Sequence, residues 1–556
     1  MKQIQKGGQT MKKIIVVAFL IIVLSTYSVA FGANWYVDNQ ATGANNGTSW
    51  ANSWTSFAKI VWGAKGVKAG DTLYISGGST SKTYKEQLKT NTDGSSGALI
   101  TIRPGQDSGH NGVVTITNPT GANFYGSGIW ITRSYITVNG NYNNLRHIRV
   151  TGSSSRGITV TDHHVIVTYL EIDNNGTGTE SWGNDGININ IGDTTNTPLL
   201  EISYCKIYNN WQDQISGTWA TKEEYGRVLI HDNDISQIHD DGVETNGVGV
   251  DIYNNYLHGS SSSRGDDHPD GLVIMGNYGR IWNNVVYDLQ STNINAYLYI
   301  NPYNAGDVKN ILVYNNLVYQ TLPTEAGKYG RGFTFSAQGT TNSISNILIA
   351  NNTFVGMPTW GAQLYFANLA AAYVKNVYFL NNIIYNCYRL SSSGQAMDFG
   401  PGDYTVRSYG DGVSVVADYN IINKGPAGTD NISFKKTSLA YTNFKTNSAT
   451  QKNIAGNPDP KLDSQYRPTI SASTASLSSF ISTYKADNII KSTMSPGATP
   501  VIGTVASTST GTSYTITTAP TVTTTTAPTV TTTTTPKVTT TTATKPKSTR
   551  GGWTIK

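Results

Sequence analysis

Cysteine is nearly absent from this chain: Cys205 and Cys387 are the only two in 556 residues. A single pair cannot build a disulfide framework, so a stable fold has to come from burial of apolar side chains. Charge is scarce too, with 13% of residues charged against 38% hydrophobic. No apolar run reaches the roughly 20 residues that a membrane-spanning helix needs. The run Ile14 to Leu24 falls short of that; it follows Lys12 and Lys13 and leads into the small residues of SVAFGA. That order reads as a secretory signal over residues 1–33, removed after Ala30 or Gly32, with Met11 a more natural start than Met1. Its removal leaves no membrane span and implies a secreted or cell-surface protein.

A basic excess is also missing once the chain is divided. The formal charge is +5, yet residues 1–33 hold four Lys and residues 504–556 hold five Lys or Arg, with no acid in either segment. The body between them is net acidic, so no nucleic-acid partner is expected. Within it, residues 171–270 carry 18 Asp or Glu against four Lys or Arg. Such a segment attracts cations.

Helical periodicity is rare. Phe57, Ile60, Val61, Ala64 and Val67 are spaced as on one face of a helix and predict an N-terminal capping helix between Thr55 and Lys68. Elsewhere the chain alternates as strands do, in segments such as GITVT, GININI and VYFLNNIIY. One motif recurs among them, an apolar residue, any residue, Asn or Asp, then Asn. Its last Asn falls at 175, 210, 233, 255, 284, 316, 352 and 382. Steps of 22 to 36 residues mark a solenoid, and short strands without helices make it an all-β, right-handed parallel β-helix over residues 34–495. Stacked Asn amides would bridge from turn to turn. Cys205 and Cys387 would then lie six turns, roughly 29 Å, apart, too far for a disulfide. In residues 496–556, APTVTTTT recurs with Pro520, Pro528 and Pro536, a low-complexity Thr/Pro tail that cannot form a core and reads as a spacer.

A second column starts one strand of each turn. The segments GSGIWIT, SRGITVT, NDGININ, QDQISGT, DDGVETN and PDGLVIM align, which puts Ser127, Arg156, Asp185, Asp213, Asp241 and Asp270 in register at steps of 28 or 29. The following turns offer Asn295 or Ala296, then Arg331. Four carboxylates stacked at about 4.8 Å repel one another, and Ca²⁺, which accepts six to eight oxygens in loose geometry, relieves that repulsion. Asp213, Asp240, Asp241 and Glu244 converge as its candidate ligands. A solvated acidic edge that discourages strand pairing is the competing reading.

The opening NWYVDNQATGANNGTSWANSWTSF, with KAGDTLYI and SSGALITIRP, resembles the N-terminal turns of secreted bacterial pectin-lyase-like β-helix proteins, polysaccharide lyases among them. The resemblance spans roughly residues 34–400 and implies the fold more strongly than an activity. It is nearest to the ninth polysaccharide lyase family, which binds Ca²⁺ through two adjacent Asp, an Asp three further on and an Asp of the preceding turn. The matching positions are Asp240, Asp241, Glu244 and Asp213, with Glu in place of the third Asp. That family's Lys base has no counterpart, since no Lys lies between Lys222 and Lys309 and the strand there reads GLVIMG.

The resemblance implies proton abstraction beside a uronate carboxylate, with the acidic polysaccharide as the partner of a monomeric enzyme. Without the Lys, the candidate base is His268, with Asp270 and Arg264 beside it in RGDDHPDGL and His239 on another turn; Arg156 and Asp185 are candidate substrate contacts. A turn histidine held by Asp266 or Asp267 explains His268 equally. Two alternatives stay open: a glycoside hydrolase of the same fold using paired Asp, and a non-catalytic adhesin or glycan-binding protein whose Tyr and Trp stack on sugars.

Overall fold

The alternating segments pair into three long sheets of 14, 12 and 13 strands in the computed structural model. It describes residues 32–176, 183–192, 199–219, 223–260, 269–289, 295–301, 307–321, 330–336, 343–365, 373–388, 397–399, 406–407, 415–434, 437–440, 458–491 and 497–498. The signal segment to residue 31, the tail from 499, and Arg264, Asp266, Asp267 and His268 lie outside these residues. One turn runs from Val228–His231 in the first sheet to Asp234–Ile238 in the second, Val243–Gly247 in the third, and back to Val250–Tyr253 in the first. Every rung between successive turns is parallel, as in Ile187↔Ile215 and Val243↔Leu272, which is the right-handed parallel β-helix. Two antiparallel hairpins depart from the pattern, one at residues 141–146 and one pairing Asn431–Phe434 with Thr437–Ala440.

Alternation fixes the core. Ile158, Ile187, Ile215, Val243, Leu272, Leu298 and Phe333 stack in one inward column of the third sheet and are wholly buried. The N-terminal helix is shorter than the spacing predicts: one 3-10 turn, Phe57–Lys59. Gly63 has φ +87°, and a Cβ at Gly66 would stand 1.9 Å from the Val61 carbonyl oxygen, so the chain bends instead of continuing as a helix. Phe57, Ile60 and Val67 still point inward, whereas Val61 is 43% exposed.

The Asn motif serves two corners rather than one. At the corner between the first and second sheets, Asn233, Asn255, Asn284, Asn316, Asn352, Asn382 and Asn420 form a continuous ladder. Asn175 and Asn210 belong to the next corner, where Asn175 Nδ2 donates to Asn210 Oδ1 at 2.9 Å and Asn210 Nδ2 ends the run on Gln214 Oε1 at 2.8 Å. The local code is the same at both: the residue before the buried Asn adopts left-handed φ, as at Asn174, Asn209, Asp232, Asn254 and Asn283. Cys205 occupies the first corner one turn before Asn233 and donates its N–H to Asn233 Oδ1. Cys205 and Cys387 are both buried free thiols.

Residues 475–490 return across the outer face of the first sheet. Asn381 brackets Ala475 through both amide atoms, and Arg280 Nη1 donates to the Tyr484 and Lys485 carbonyls at 3.1 and 2.7 Å. Phe480, Tyr484 and Ile490 pack there with Tyr314, Leu348 and Leu380. The third sheet keeps the carboxylate column. Among the described residues, no helix is long and apolar enough to cross a membrane.

Candidate cation and glycan site

The column in the third sheet has the register the spacing gives. Ile129, Ile158, Ile187, Ile215, Val243 and Leu272 are partners from turn to turn, so the residues two places before them, Ser127, Arg156, Asp185, Asp213, Asp241 and Asp270, stack. Ala296, not Asn295, follows, and it pairs with Arg331. The aspartates are tied through the backbone. Asp213 Oδ1 accepts the Asp241 N–H at 3.1 Å, Asp241 Oδ1 accepts the Asp270 N–H at 3.2 Å, and Asp270 Oδ1 accepts the Ala296 N–H. Each carboxylate thereby holds the next turn.

Asp240 turns toward the same place. One carboxylate oxygen each from Asp213, Asp240 and Asp241 lie within 4.8 Å of one another, and all three residues are buried. Ionised together, such carboxylates repel by about 3–4 kcal/mol per pair at an effective dielectric near 20. Burial, then the charges of Asp240, Asp270, Asp213 and Glu244, raise the Asp241 pKa well above the ordinary carboxylate range. The donor set, all oxygen and all anionic in origin, fits a hard divalent cation. Glu244 stands outside this close group. It is half-buried on the outward face of its strand, in register with Ser216 and Val273, and reaches Asp241 through its charge.

Arg156 and Asp185 face each other, with Arg156 Nε 3.9 Å from Asp185 Oδ2. The same oxygen accepts from Ser216 Oγ at 2.6 Å and Asn188 Nδ2 at 3.0 Å. Burial raises the Asp185 pKa against the opposing pull of Ser216 and Arg156. Arg156 also lies over the Phe124 ring, 5.1 Å from its centroid. Gly183 holds φ +80°, where any L side chain is strained, and a Cβ there would also fall 2.0 Å from Arg156 Nη2. His239 Nε2 donates to Asn209 Oδ1 at 2.9 Å, at the second corner. His268 and Arg264 fall on the segment 261–268, which leads into buried Asp270.

Beyond the aspartates the site is extended by Tyr299, which carries no signal in the linear pattern, and by Arg331, whose partners the pattern does not give. Tyr299 follows Val273 on the outward face, bonds Ser336, and has its pKa pushed up to about 12 by burial and by Asp270. Beyond it, Arg331 donates to Gln363 Oε1 at 2.9 Å and Gln363 donates to Asp398 Oδ2 at 3.0 Å, a chain across three turns. Only the fold brings these residues, 67 positions apart at the extremes, into contact.

No protein-family model matches this chain, and no curated protein matches it. Solved structures similar to it include a pectate lyase, 14% identical over 77% of this chain and 89% of that one, with a TM-score of 0.36. A lacto-N-biosidase from Eubacterium ramulus is 12% identical over 70% of this chain and 67% of that one, with a TM-score of 0.41. A family 6 polysaccharide lyase from Pseudopedobacter saltans is 13% identical over 71% and 90%, with a TM-score of 0.38.

Proposed function

We propose that this chain is a secreted, monomeric, Ca²⁺-dependent lyase that cleaves a uronate-containing polysaccharide by β-elimination. The observation that carries the reading is the buried meeting of Asp213, Asp240 and Asp241, whose oxygens lie within 4.8 Å of one another. These three residues would hold the ion, with Glu244 beside them. Bound there, Ca²⁺ offsets the charge of a substrate carboxylate and makes the adjacent C–H easier to deprotonate. The protein's own residues then orient and abstract. Asp270, held between the Asp241 carboxylate and the Ala296 N–H, fixes the end of the segment that carries His268. His268 takes the proton, Arg264 lies on the same segment, and the Arg156–Asp185 pair lines the glycan's path. His268 suits a base because its unperturbed pKa is close to neutral.

The same closeness speaks against inverting hydrolysis through this group, which needs carboxyls about 6.5–9.5 Å apart to admit a water. Incubation with polygalacturonate and with alginate, followed by ultraviolet absorbance of unsaturated uronate ends, tests the reading. The account expects an increase that a chelator abolishes and added Ca²⁺ restores. Reducing ends without absorbance would replace it with a hydrolase, and neither signal would leave a glycan-binding surface protein.

A further inference from the structure

Three turns past Asp241 in the same column, about 14 Å along the stack, stands Arg331. It is 6% exposed, and its Nη1 is committed to Gln363 Oε1, whose amide is in turn oriented by Asp398. Its Nε and Nη2 are buried with no hydrogen-bond partner. The backbone does not call for arginine at this position, since equivalent turns carry Ser127, Ala296 and Trp360. Burying a charged donor pair without partners is costly, so the pair asks for a ligand.

The protein itself indicates which one. Nε and Nη2 form the side-on edge of a guanidinium, and two other arginines here use that edge to grip a carboxylate. Arg149 donates from Nε and Nη2 to the two oxygens of Asp173 at 2.8 and 2.7 Å, and Arg280 does the same to Asp251. Around Arg331, two further buried donors are without partners: Trp360 Nε1, whose ring lies 4.6 Å from the guanidinium, and Thr334 Oγ, which sits between Tyr299 and Gln363 in register. We infer that Arg331, with Trp360 and Thr334, forms a second anion site that takes the carboxylate of a uronate residue in the bound glycan. The fork geometry favours a planar two-oxygen group. The inference rests on the uronate-glycan reading, but it concerns binding and does not need the cation or turnover.

Calorimetry of the full chain with galacturonate and mannuronate trimers, in chelator, tests it. Wild type binds at least one of the two trimers and binds its carboxyl-reduced counterpart far more weakly. Arg331→Gln loses on the order of tenfold or more for the acidic trimer and nothing for the reduced one, while Arg331→Lys recovers part of the loss because it restores charge without the fork. Thermal unfolding of each variant accompanies the titration. Should Arg331→Gln not fold, Trp360→Phe, which keeps the ring and removes the N–H, is expected to weaken the acidic trimer several-fold. Equal binding by wild type and the folded variants overturns the anion site and leaves the lyase reading to the absorbance assay. An Arg331-dependent loss without any turnover overturns the lyase reading instead and leaves this site standing.

Discussion

Replacing Asn284 by Ala tests what holds the stack together. Asn284 is wholly buried in the middle of the first-corner ladder. Its Oδ1 accepts from the Asn255 N–H at 3.0 Å and from Asn255 Nδ2 at 3.0 Å, and its Nδ2 donates to the Ile252 carbonyl at 2.9 Å and to Asn316 Oδ1 at 3.0 Å. Alanine strips partners from the Asn255 N–H, Asn255 Nδ2 and the Ile252 carbonyl, whose surroundings water does not reach. Each orphaned buried group costs about 1–3 kcal/mol, so the expected loss is about 2–6 kcal/mol from the two groups left once Asn255 Nδ2 falls back on its bond to Ile230. The control is the preceding residue. Asn283 holds φ +57°, which Gly adopts without strain, and its Oδ1 accepts from Asn315 Nδ2 at 2.7 Å. Asn283→Gly should therefore cost less than about 1 kcal/mol. Urea unfolding followed by tryptophan fluorescence compares the two. A loss under about 1 kcal/mol for Asn284→Ala, or one matched by Asn283→Gly, refutes the idea that the ladder's amides, rather than the left-handed corner, hold successive turns.

Three further outcomes follow from the site. With chelator present, the raised Asp241 pKa means that its stabilising contribution is complete below its unfolded pKa near 3.8 and is lost as pH rises through the higher folded value, so the melting temperature falls as pH is raised above that unfolded value; Ca²⁺ should flatten that slope. His231 supplies a slope in the same direction that Ca²⁺ leaves alone: burial opposes its charge, but Asp232 and Glu201 outweigh it and hold the pKa at about 9, so melting of His231→Gln serves to subtract it. Gly183→Ala should cost about 1–3 kcal/mol and weaken glycan binding, because its Cβ would displace Arg156; unaltered unfolding and binding would contradict this. His268→Gln should lower turnover by about a hundredfold or more with Ca²⁺ affinity unchanged, measured by absorbance and calorimetry; full activity removes His268 as the base.

The carboxylate column was legible because it obeys a count: steps of 28 or 29 residues and a period-two strand leave one alignment of Asp185, Asp213, Asp241 and Asp270. The Asn motif was legible as a corner but not as which corner, since a left-handed residue followed by a buried Asn is the same local solution after either strand. Asn420 lacks the motif for a related reason: Tyr419 takes the left-handed position that Asn or Asp takes elsewhere in the ladder. The spacing of Phe57, Ile60 and Val67 identified inward residues correctly, yet Gly63 and Gly66 decide the backbone between them. Alternation gives the face of Glu244, while the oxygens within 4.8 Å of one another are those of the three aspartates. Arg331 was visible as a column member, but its open fork depends on Gln363 and Asp398, one and two turns away.

Calcium titration by calorimetry of the full chain, beside Asp241→Asn, tests the central claim most directly. The account predicts one saturable site in the wild type and its loss, or a weakening of at least about a hundredfold, in the variant, because the amide removes charge from the centre of the Asp213–Asp240–Asp241 group while keeping its shape. No binding by the wild type, or equal binding by Asp241→Asn, would contradict it.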